Sequence, residues 1–270
     1  MRLLKITNQD IPELDEHFSE VETITLEELT PQVAGKNSEI MIEDESVSGF
    51  DAVYADIPVE SAIFGRVLLE IIEEKGVALN YSSTAFFTMS KKNYLYHVLK
   101  ERELPSPNTA VVADEKAARN LENHLKGPLE AKKFNNLSKV ESTKIDTVEA
   151  IQDFAEGAEY GEQILIFNEL RKGDKYRCLV AGDNVISLQD DSEGWKFSDE
   201  NLKYSSISSE LREVVEQAAE ALGTNVAEIK LRNGKIVDVI PNPNLEMYKD
   251  ISGKDSFGAV AEALKVGDEL

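Results

Sequence analysis

The fold is decided by the stretch Lys175-Tyr176-Arg177-Cys178-Leu179-Val180-Ala181-Gly182-Asp183-Asn184-Val185. Residues 176–180 and 184–188 are two short runs of strand-forming residues, and Ala181-Gly182-Asp183 lies between them. Glycine beside aspartate favours a tight turn, because both residues tolerate the backbone angles of short hairpin loops. The sequence therefore predicts a β-hairpin here, with Arg177 on its first strand.

A second hairpin is predicted further along the chain. Residues 226–231 and 236–240 are apolar-rich runs joined across Arg232-Asn233-Gly234, and Asn-Gly is a strong signal for a two-residue hairpin turn. An amphipathic helix is expected between the two hairpins over residues 210–222, ending at Gly223. The last third of the chain is thus expected to form a layered α+β unit.

The residues upstream predict two more α/β or α+β units. Strands are expected near residues 3–7, 21–26, 39–43, 52–56 and 77–80, with a helix from residue 63 whose apolar stripe is Phe64, Val67, Leu68, Ile71 and Ile72. Beyond a proline-containing break at residues 104–107, residues 109–169 predict strand, helix (115–125), two strands, helix and strand. The fold class expected is mixed α/β and α+β.

The composition excludes several classes of function. The formal net charge of −22 disfavours a nucleic-acid partner, because an acidic chain repels phosphate backbones. No apolar run approaches the length of a membrane span, and the first residues lack the pattern of a secretory signal, so a cytoplasmic protein is expected. One cysteine, Cys178, and three scattered histidines offer neither a disulfide nor a zinc-site spacing.

The spread of the acidic residues favours a high-salt cytoplasm as their origin. Salt screens the self-repulsion that a diffuse acidic excess creates. A merely acidic protein from an ordinary cytoplasm is the alternative, and the excess of lysine over arginine counts in its favour.

Three stretches together carry a resemblance to a known family. The first is Ser90-Lys91-Lys92-Asn93-Tyr94-Leu95, followed by Glu103-Leu104-Pro105-Ser106-Pro107-Asn108-Thr109; the second is Gly161-Glu162-Gln163-Ile164-Leu165-Ile166 with the first hairpin; the third runs from Val226-Ala227-Glu228-Ile229-Lys230 to Val237-Asp238-Val239-Ile240-Pro241-Asn242-Pro243-Asn244-Leu245-Glu246. They resemble the lysine and "I-P-x-P-x-T" entry, the "D-I-R-C-F-V-V-G-D-K-V" hairpin and the closing "E-V-N-P-N-P" segment of RimK-like ATP-grasp ligases.

The resemblance implies a fold of three parts. These are an N-terminal α/β subdomain over residues 1–88 and two α+β lobes, 89–165 and 166–270, that clamp a nucleotide cleft. The activity that it implies is the formation of an acyl phosphate from a carboxylate and ATP, followed by attack of an amine to give an amide bond. The substrate would be a small-molecule or peptide carboxylate.

The resemblance also implies which residues reach the nucleotide. Lys92 and Lys132 stand at the positions of the family's two phosphate-reaching lysines, and Arg177 stands at the position of its phosphate-reaching, catalytic arginine. Developing charge on phosphoryl oxygens needs cations, so these residue types suit the chemistry. The alternative for each is an ordinary solvated surface charge or an ion pair with one of the many acids.

The implied Mg²⁺ site departs from the family pattern. Positions expected to hold Asp, Glu and Asn carry Lys230, Asp238 and Ile240, so Asp238 is the candidate metal ligand. Glu228 and Asn242 are candidate replacements, although the proline-flanked Asn242 is also typical of a turn. The glycine-rich loop over the phosphates is replaced by residues 134–139, which lack glycine, and Gln189-Asp190-Asp191 replaces a basic position.

Two hypotheses therefore stay open. The first is an ATP-dependent carboxylate–amine ligase whose ATP and Mg²⁺ site is unusual; the second is an inactive ATP-grasp protein that serves as an interaction or structural subunit with a protein partner. A third, an unrelated α/β binding protein, is favoured if the closing hairpin does not face the Lys132 strand across a cleft. Trp195, with Lys196 and Phe197, is interpreted as a packing or contact surface in preference to a surface that binds a ligand.

Overall fold

The computed structural model describes residues 1–34, 38–42, 45–121, 124–135, 138–158 and 163–266. None of the helices within these ranges combines the length and apolar character needed to span a bilayer.

The N-terminal part is built on a parallel sheet. Its elements are β1 (Arg2–Ile6), α1 (Pro12–Asp15), β2 (Glu20–Ile24), β3 (Thr30–Gln32), β4 (Glu39–Ile42), β5 (Glu45–Ser46), β6 (Ala52–Ala55), α2 (Ala62–Glu74) and β7 (Ala78–Leu79). The parallel sheet has the order β2-β1-β6-β7, while β3, β4 and β5 form a small antiparallel sheet. The strands predicted in this part are present, and β3 and β5 are additions that the sequence did not indicate.

The buried face of α2 differs from the predicted stripe. Leu68, Ile71 and Ile72 are buried as expected, but Phe64 and Val67 are 40% and 37% exposed. The helix instead turns Gly65 toward the core, where the ring of Phe86 fills the space that a side chain would take. The hydrophobic face is rotated because close helix packing at glycine competes with simple periodicity.

The central part is a four-stranded antiparallel sheet preceded by two helices. Its elements are α3 (Ser83–Ser90), α4 (Lys92–Glu101), β8 (Thr109–Val112), α5 (Glu115–Ala118), β9 (Leu129–Asn135), β10 (Ser138–Ile145), α6 (Val148–Ala155) and β11 (Gln163–Glu169). The sheet order is β10-β9-β11-β8. The helix predicted over 115–125 is wrong in length, since α5 is one turn long. Residues 136 and 137 of the altered phosphate loop lie outside the described residues.

The C-terminal part is a five-stranded antiparallel sheet with three helices. Its elements are β12 (Lys175–Ala181), β13 (Asn184–Asp190), β14 (Leu202–Tyr204), α7 (Ser209–Leu222), β15 (Val226–Arg232), β16 (Lys235–Ile240), α8 (Leu245–Ser252) and α9 (Ser256–Val266). The sheet order is β14-β13-β12-β15-β16. Both predicted hairpins are confirmed, and Asn233 and Gly234 have φ of 48° and 71°, as a type I′ turn requires.

Helices α1, α3 and α8 were not predicted from the sequence, and for α3 and α8 the reason is that the polar residues at their N-caps are equally typical of turns. The hydroxyl of Ser82 accepts a hydrogen bond from the backbone of Ala85 and begins α3. The side chain of Asn244 does the same for Met247 and begins α8. Ser, Asn and Asp favour turns and helix N-caps for the same reason, which is that their side chains bond nearby backbone N–H groups.

The N-terminal sheet is joined to the C-terminal part through residues 80–82. The carbonyl of Asn80 accepts hydrogen bonds from the backbone of Asn225 (3.0 Å) and Val226 (2.8 Å), and Ser82 donates to Gly223 (3.2 Å). The Asn80 side chain bonds both backbone groups of Ala55, at 2.9 Å each, at the end of β6. One segment thus fixes the parallel sheet against β15. The predicted division at residues 88 and 165 stays a prediction, since α3 and β11 run through those positions.

The substitution Asn80→Ala tests this junction. It removes both side-chain hydrogen bonds to Ala55 and leaves a buried N–H without a partner. We expect the free energy of unfolding to fall by about 2–4 kcal/mol, measured by urea denaturation. Asn120→Ala, at an exposed position, is the matched control and should change stability by less than about 0.5 kcal/mol. Equal effects of the two substitutions would contradict the role given to Asn80.

Candidate functional site

A cleft of about 560 Å³ lies between the central and C-terminal sheets. Residues of β9 line one wall, and residues of β15 and β16 line the other. The closing hairpin therefore faces the Lys132 strand across a cleft, and this arrangement counts against an unrelated binding fold. Among the described residues, its charged lining consists of five basic side chains, Lys92, Lys132, Lys196, Lys230 and Arg232, and three acidic ones, Glu60, Glu130 and Asp238.

Lys92 and Asp238 form an ion pair at one end of the cleft. The Lys92 Nζ atom lies 2.7 Å from Asp238 Oδ1 and donates to the backbone carbonyl of Val239, also at 2.7 Å. Lys92 begins helix α4 and Asp238 lies on β16, so the pair attaches this helix to the edge of the C-terminal sheet. Burial lowers the pKa of the Lys92 ammonium, and Asp238 partly offsets that effect.

Lys132 is held by a buried polar network. Its Nζ atom lies 3.5 Å from the hydroxyl of Tyr96 and 3.4 Å from Glu130 Oε2. The Tyr96 hydroxyl also accepts from Asn168 (2.8 Å) and donates to the carbonyl of Val237 (2.7 Å), which ties α4, β11 and β16 together. Burial works to lower the pKa of Lys132, but Tyr96, Glu130 and Asp238 outweigh it and raise the pKa. Lys132 is thus a fixed, fully charged cation.

Three ammonium groups surround the Asp238 carboxylate. Burial works to raise its pKa, but Lys92, Lys132 and Lys230 outweigh burial and lower the pKa to about 2. Lys230 lies directly opposite Asp238 in the register of β15 and β16. Lys132 and Lys230 also have Glu130 and Glu228 as partners, so the positive charge left unpaired among the described lining residues is that of Lys196 and Arg232, and it suits an anionic ligand.

Arg177 lies on the same sheet face, beside this cluster. It is opposite Lys230 in the register of β12 and β15, and it forms ion pairs with Asp199 and with Glu228, the latter 3.4 Å away. The sequence predicted Arg177 beside Lys92 and Lys132. Lys92 on helix α4 and Lys132 on β9 line the cleft, whereas Arg177 on β12 lies next to Lys230 and is not among the residues that line it. The partner Asp199 is exposed, whereas Glu228 is 3% exposed.

The side chains of the cleft do not fit a bound Mg²⁺. Within the described ranges, no group of three or more acidic, histidine or cysteine side chains lies close together. Asp238 is already paired with Lys92, and Ile240 has no ligating atom. Mg²⁺ prefers carboxylate oxygens, and an ion bound at Asp238 would be repelled by the Lys92 ammonium, which lies 2.7 Å from that carboxylate. Asp238 thus acts as the counter-ion of lysine, and its assignment as a metal ligand stays a prediction.

The two candidate replacements for metal ligands are engaged elsewhere. The amide of Asn242 donates to the carbonyl of Ile57 (2.8 Å) and accepts from Tyr81 (3.2 Å), so it joins the C-terminal part to the N-terminal sheet. The carboxylate of Glu228 accepts from Tyr248 (3.0 Å) and lies 3.4 Å from both Lys230 and Arg177. Both side chains have structural partners in place of a metal ion.

Residues 191–201 form a loop over the basic end of the cleft. The buried Lys175 donates to the carbonyls of Ser192 (3.0 Å) and Lys196 (2.9 Å), and Arg232 donates to that of Trp195. These bonds place the ring of Phe197 5.2–5.8 Å from Lys175, Lys230 and Arg232. Trp195 and Phe197 therefore line the cleft. A role in packing or in a contact surface does not by itself explain this position.

The acidic stretch 189–191 does not point its charges at a ligand. Asp190 is buried and pairs with Lys175 at 3.3 Å, and Asp191 pairs with Lys203 at 2.5 Å. Both carboxylates are therefore paired with lysines, and neither is among the residues that line the cleft. Arg232, Glu130 and Ser90 were not identified from the sequence, because Arg232 and Glu130 enter the cleft through pairing between distant strands and Ser90 lies at the end of helix α3.

This chain is similar in sequence to a known protein and in fold to several solved structures. No protein-family model matches the chain. A probable alpha-L-glutamate ligase from Trichodesmium erythraeum (strain IMS101) is 23% identical over 248 residues, which are 87% of this chain and 83% of that protein.

Solved structures match the whole fold. The ATP-grasp ligase PsnB, in complex with a minimal precursor, Mg and ADP, superposes with a TM-score of 0.73 over 100% of this chain and 98% of that one, at 16% identity. A RimK domain protein ATP-grasp from Sphaerobacter thermophilus DSM 20745 gives 0.72 at 16% identity, over 97% of this chain and 99% of that one. Macrocyclase MdnC from Microcystis aeruginosa MRC, bound with precursor peptide MdnA, gives 0.68 at 12% identity, over 98% and 99%.

The substitution Asp238→Asn tests the electrostatics of the cleft. Because the folded-state pKa of about 2 lies below the usual value of about 4, the carboxylate stabilises the fold above pH ~4 and loses this effect as the pH falls toward 2. We expect the substitution to lower the free energy of unfolding by about 2–4 kcal/mol at pH 7, because it leaves the lysines without their counter-ion. The difference from the unmodified protein should shrink progressively below pH 4.

Urea denaturation at a series of pH values measures both quantities. Asp183→Asn, in the exposed hairpin turn, serves as the matched control and should have little effect at any pH. A difference between Asp238→Asn and the unmodified protein that is constant from pH 7 to pH 2 would contradict the assigned role.

Proposed function

We propose that this chain, which has the ATP-grasp fold of the RimK-like ligases, is an ATP-dependent carboxylate–amine ligase that binds the nucleotide in the basic cleft. The observation that carries the proposal is the cluster of buried or half-buried cations in a chain of net charge −22. Lys92, Lys132 and Lys230 each have a carboxylate within 3.4 Å, whereas Arg232 and Lys196 form no ion pair among the described residues, so the cleft keeps positive charge that a bound anion would neutralise. A triphosphate supplies such an anion.

The proposed reaction has two steps. A carboxylate oxygen of the substrate attacks the γ-phosphorus of ATP, the bond to ADP breaks, and an acyl phosphate forms. The nitrogen of an amine then attacks the acyl carbon, inorganic phosphate leaves, and the amine proton is lost to solvent. Lys92 and Lys132 are proposed to neutralise the charge that develops on the phosphoryl oxygens and the departing ADP.

Arg177 is proposed as the catalytic cation nearest the substrate. Its position opposite Lys230 supports this role, because a ligand that contacts Lys230 lies within reach of the neighbouring strand. The guanidinium is oriented by the buried Glu228, while its second partner, Asp199, lies on the exposed loop. An anionic substrate group replacing Asp199 would gain a bidentate partner.

The comparisons support the substrate class. The curated relative is a probable alpha-L-glutamate ligase, and the macrocyclase structure contains a precursor peptide. We therefore propose L-glutamate as one of the two substrates. The substrate whose carboxylate is phosphorylated is proposed to be a small molecule or a peptide. The alternative of an inactive subunit with a protein partner has the Lys92–Asp238 pair in its favour, since that pair occupies the implied metal position. The similarity of this chain to ligases over nearly its full length favours an active enzyme.

We further propose that the protein works in a cytoplasm of high salt concentration. The support is the diffuse acidic excess of 51 acidic against 29 basic residues. Self-repulsion among these charges weakens as salt shortens the screening length. The melting temperature should therefore rise steadily when KCl is increased from low concentration to molar concentration. A flat or falling melting temperature over that range would contradict this proposal.

An assay of ADP release tests the ligase proposal. The full chain is incubated with ATP, L-glutamate and a panel of amino acids and short peptides, and products are identified by mass spectrometry. The expected result is ADP formation that depends on glutamate and gives a product extended by a glutamyl residue. Binding of ATP without ADP release across the panel would instead favour the inactive subunit.

The substitution Lys132→Met tests where ATP binds. Loss of this fixed cation should weaken ATP binding by about 10-fold or more, because a charge-assisted contact to phosphate is lost. Lys203→Gln, on the exposed strand β14 of the other sheet, is the matched control and should leave the affinity unchanged. Unchanged ATP affinity in Lys132→Met would contradict the placement of the nucleotide.

A further inference from the structure

We propose that the ammonium group of Lys230 takes the place of a metal ion in this cleft, so that the polyphosphate of a nucleotide binds without a divalent cation. This inference rests on the proposed function, because it requires that ATP binds in the basic cleft. It departs from the magnesium dependence that the resemblance implies.

The position of Lys230 is the first support. It lies on β15 between Arg177 on β12 and Asp238 on β16, each directly opposite it in the strand register. Residues paired in this way project from the same face of a sheet. The Lys230 side chain is 13% exposed and lines the cleft. Its positive charge therefore lies in the cleft, where solvent screens it little.

The charge balance of the cluster is the second support. Glu228 Oε1 lies 3.4 Å from both Lys230 Nζ and Arg177 Nε, so one carboxylate is shared between two cations. Asp238 is paired with Lys92 at 2.7 Å while Lys132 and Lys230 also act on it. Glu130 lies 3.4 Å from Lys132, and Asp199 pairs with Arg177, so the positive charge that the described carboxylates leave unpaired is that of Lys196 and Arg232, which line the same cleft. An incoming polyphosphate supplies the missing negative charge.

A buried hydroxyl is the third and independent support. Ser90, which is 5% exposed, lines the cleft beside Lys92, and its Oγ atom has no hydrogen-bond partner among the described residues. A buried hydroxyl without a partner is unfavourable by about 1–3 kcal/mol and is uncommon in folded proteins. A phosphate oxygen bound by the lysines would provide an acceptor for it.

The same arrangement disfavours a metal ion that arrives with the nucleotide. Such an ion would have to displace Lys92 from Asp238 and lie among the ammonium groups of Lys92, Lys132 and Lys230. The repulsion between like charges at these distances in a half-buried site is substantial. Free ATP, which carries more negative charge than its magnesium complex, is therefore the better match for this cleft.

Calorimetric titration of ATP into the full chain tests the inference, once with EDTA and once with excess MgCl₂ at equal ionic strength. The inference predicts an affinity in EDTA equal to or higher than that in MgCl₂. Binding that occurs only with MgCl₂ would overturn the inference and leave the proposed function standing. The absence of binding in both conditions would overturn the proposed function, and the inference with it.

Two substitutions at Lys230 sharpen the test. Lys230→Gln should weaken ATP binding in EDTA by about 10-fold or more, because a charge-assisted contact is lost. Lys230→Asp places a second carboxylate opposite Asp238, and two carboxylates with phosphate oxygens form a usual Mg²⁺ site. This variant should bind ATP better with MgCl₂ than with EDTA, which reverses the preference of the unmodified protein.

Lys203→Gln is the control and should behave as the unmodified protein in both conditions. Thermal unfolding of each variant shows whether it is folded before titration. The inference would be overturned by a folded Lys230→Gln variant that binds ATP in EDTA as tightly as the unmodified protein.

Discussion

The docking of helix α4 onto strand β16 is the interaction on which the rest of the site depends. Lys92 bonds Asp238 and the carbonyl of Val239, and Tyr96, one turn later, bonds the carbonyl of Val237. The same Tyr96 hydroxyl accepts hydrogen bonds from the side chains of Asn168 and Lys132, both on strands of the central sheet. A single helix face thus fixes the distance between the two sheets. The cleft and the geometry of its lysines follow from that constraint.

The local features of the fold could be predicted because their signals are local. The turns at Gly182 and Asn233-Gly234 require positive φ, and the sequence supplies residues that adopt it. Helix α3 could not be found from periodicity, because Ser83, Phe86 and Met89 are buried around much of its circumference and no polar face appears in the sequence. The extent of α5 and the rotated face of α2 depend on tertiary packing, which competes with local propensity.

The candidate site was predictable only in part and for a different reason. Lys92, Lys132, Arg177 and Asp238 were identified by resemblance, since a lysine on a strand is by itself an ordinary surface charge. Arg232 enters the cleft through strand pairing, Phe197 through a loop held by buried cations, and Ser90 through the packing of helix α3, and a sequence alone carries no signal for any of these. The replacement of expected metal ligands by Lys230 and Ile240 was visible in the sequence. Its consequence, a carboxylate surrounded by three ammonium groups, required the three-dimensional arrangement.

The central claim is that fixed lysines bind the polyphosphate of a nucleotide without a divalent metal ion. The most direct measurement is a crystal structure of the full chain with a non-hydrolysable ATP analogue, grown with magnesium present. We expect phosphate oxygens within hydrogen-bonding distance of Lys132 and Lys230, with Lys92 still paired to Asp238. A magnesium ion coordinated by Asp238 with Lys230 turned away, or a nucleotide bound outside the cleft, would contradict it.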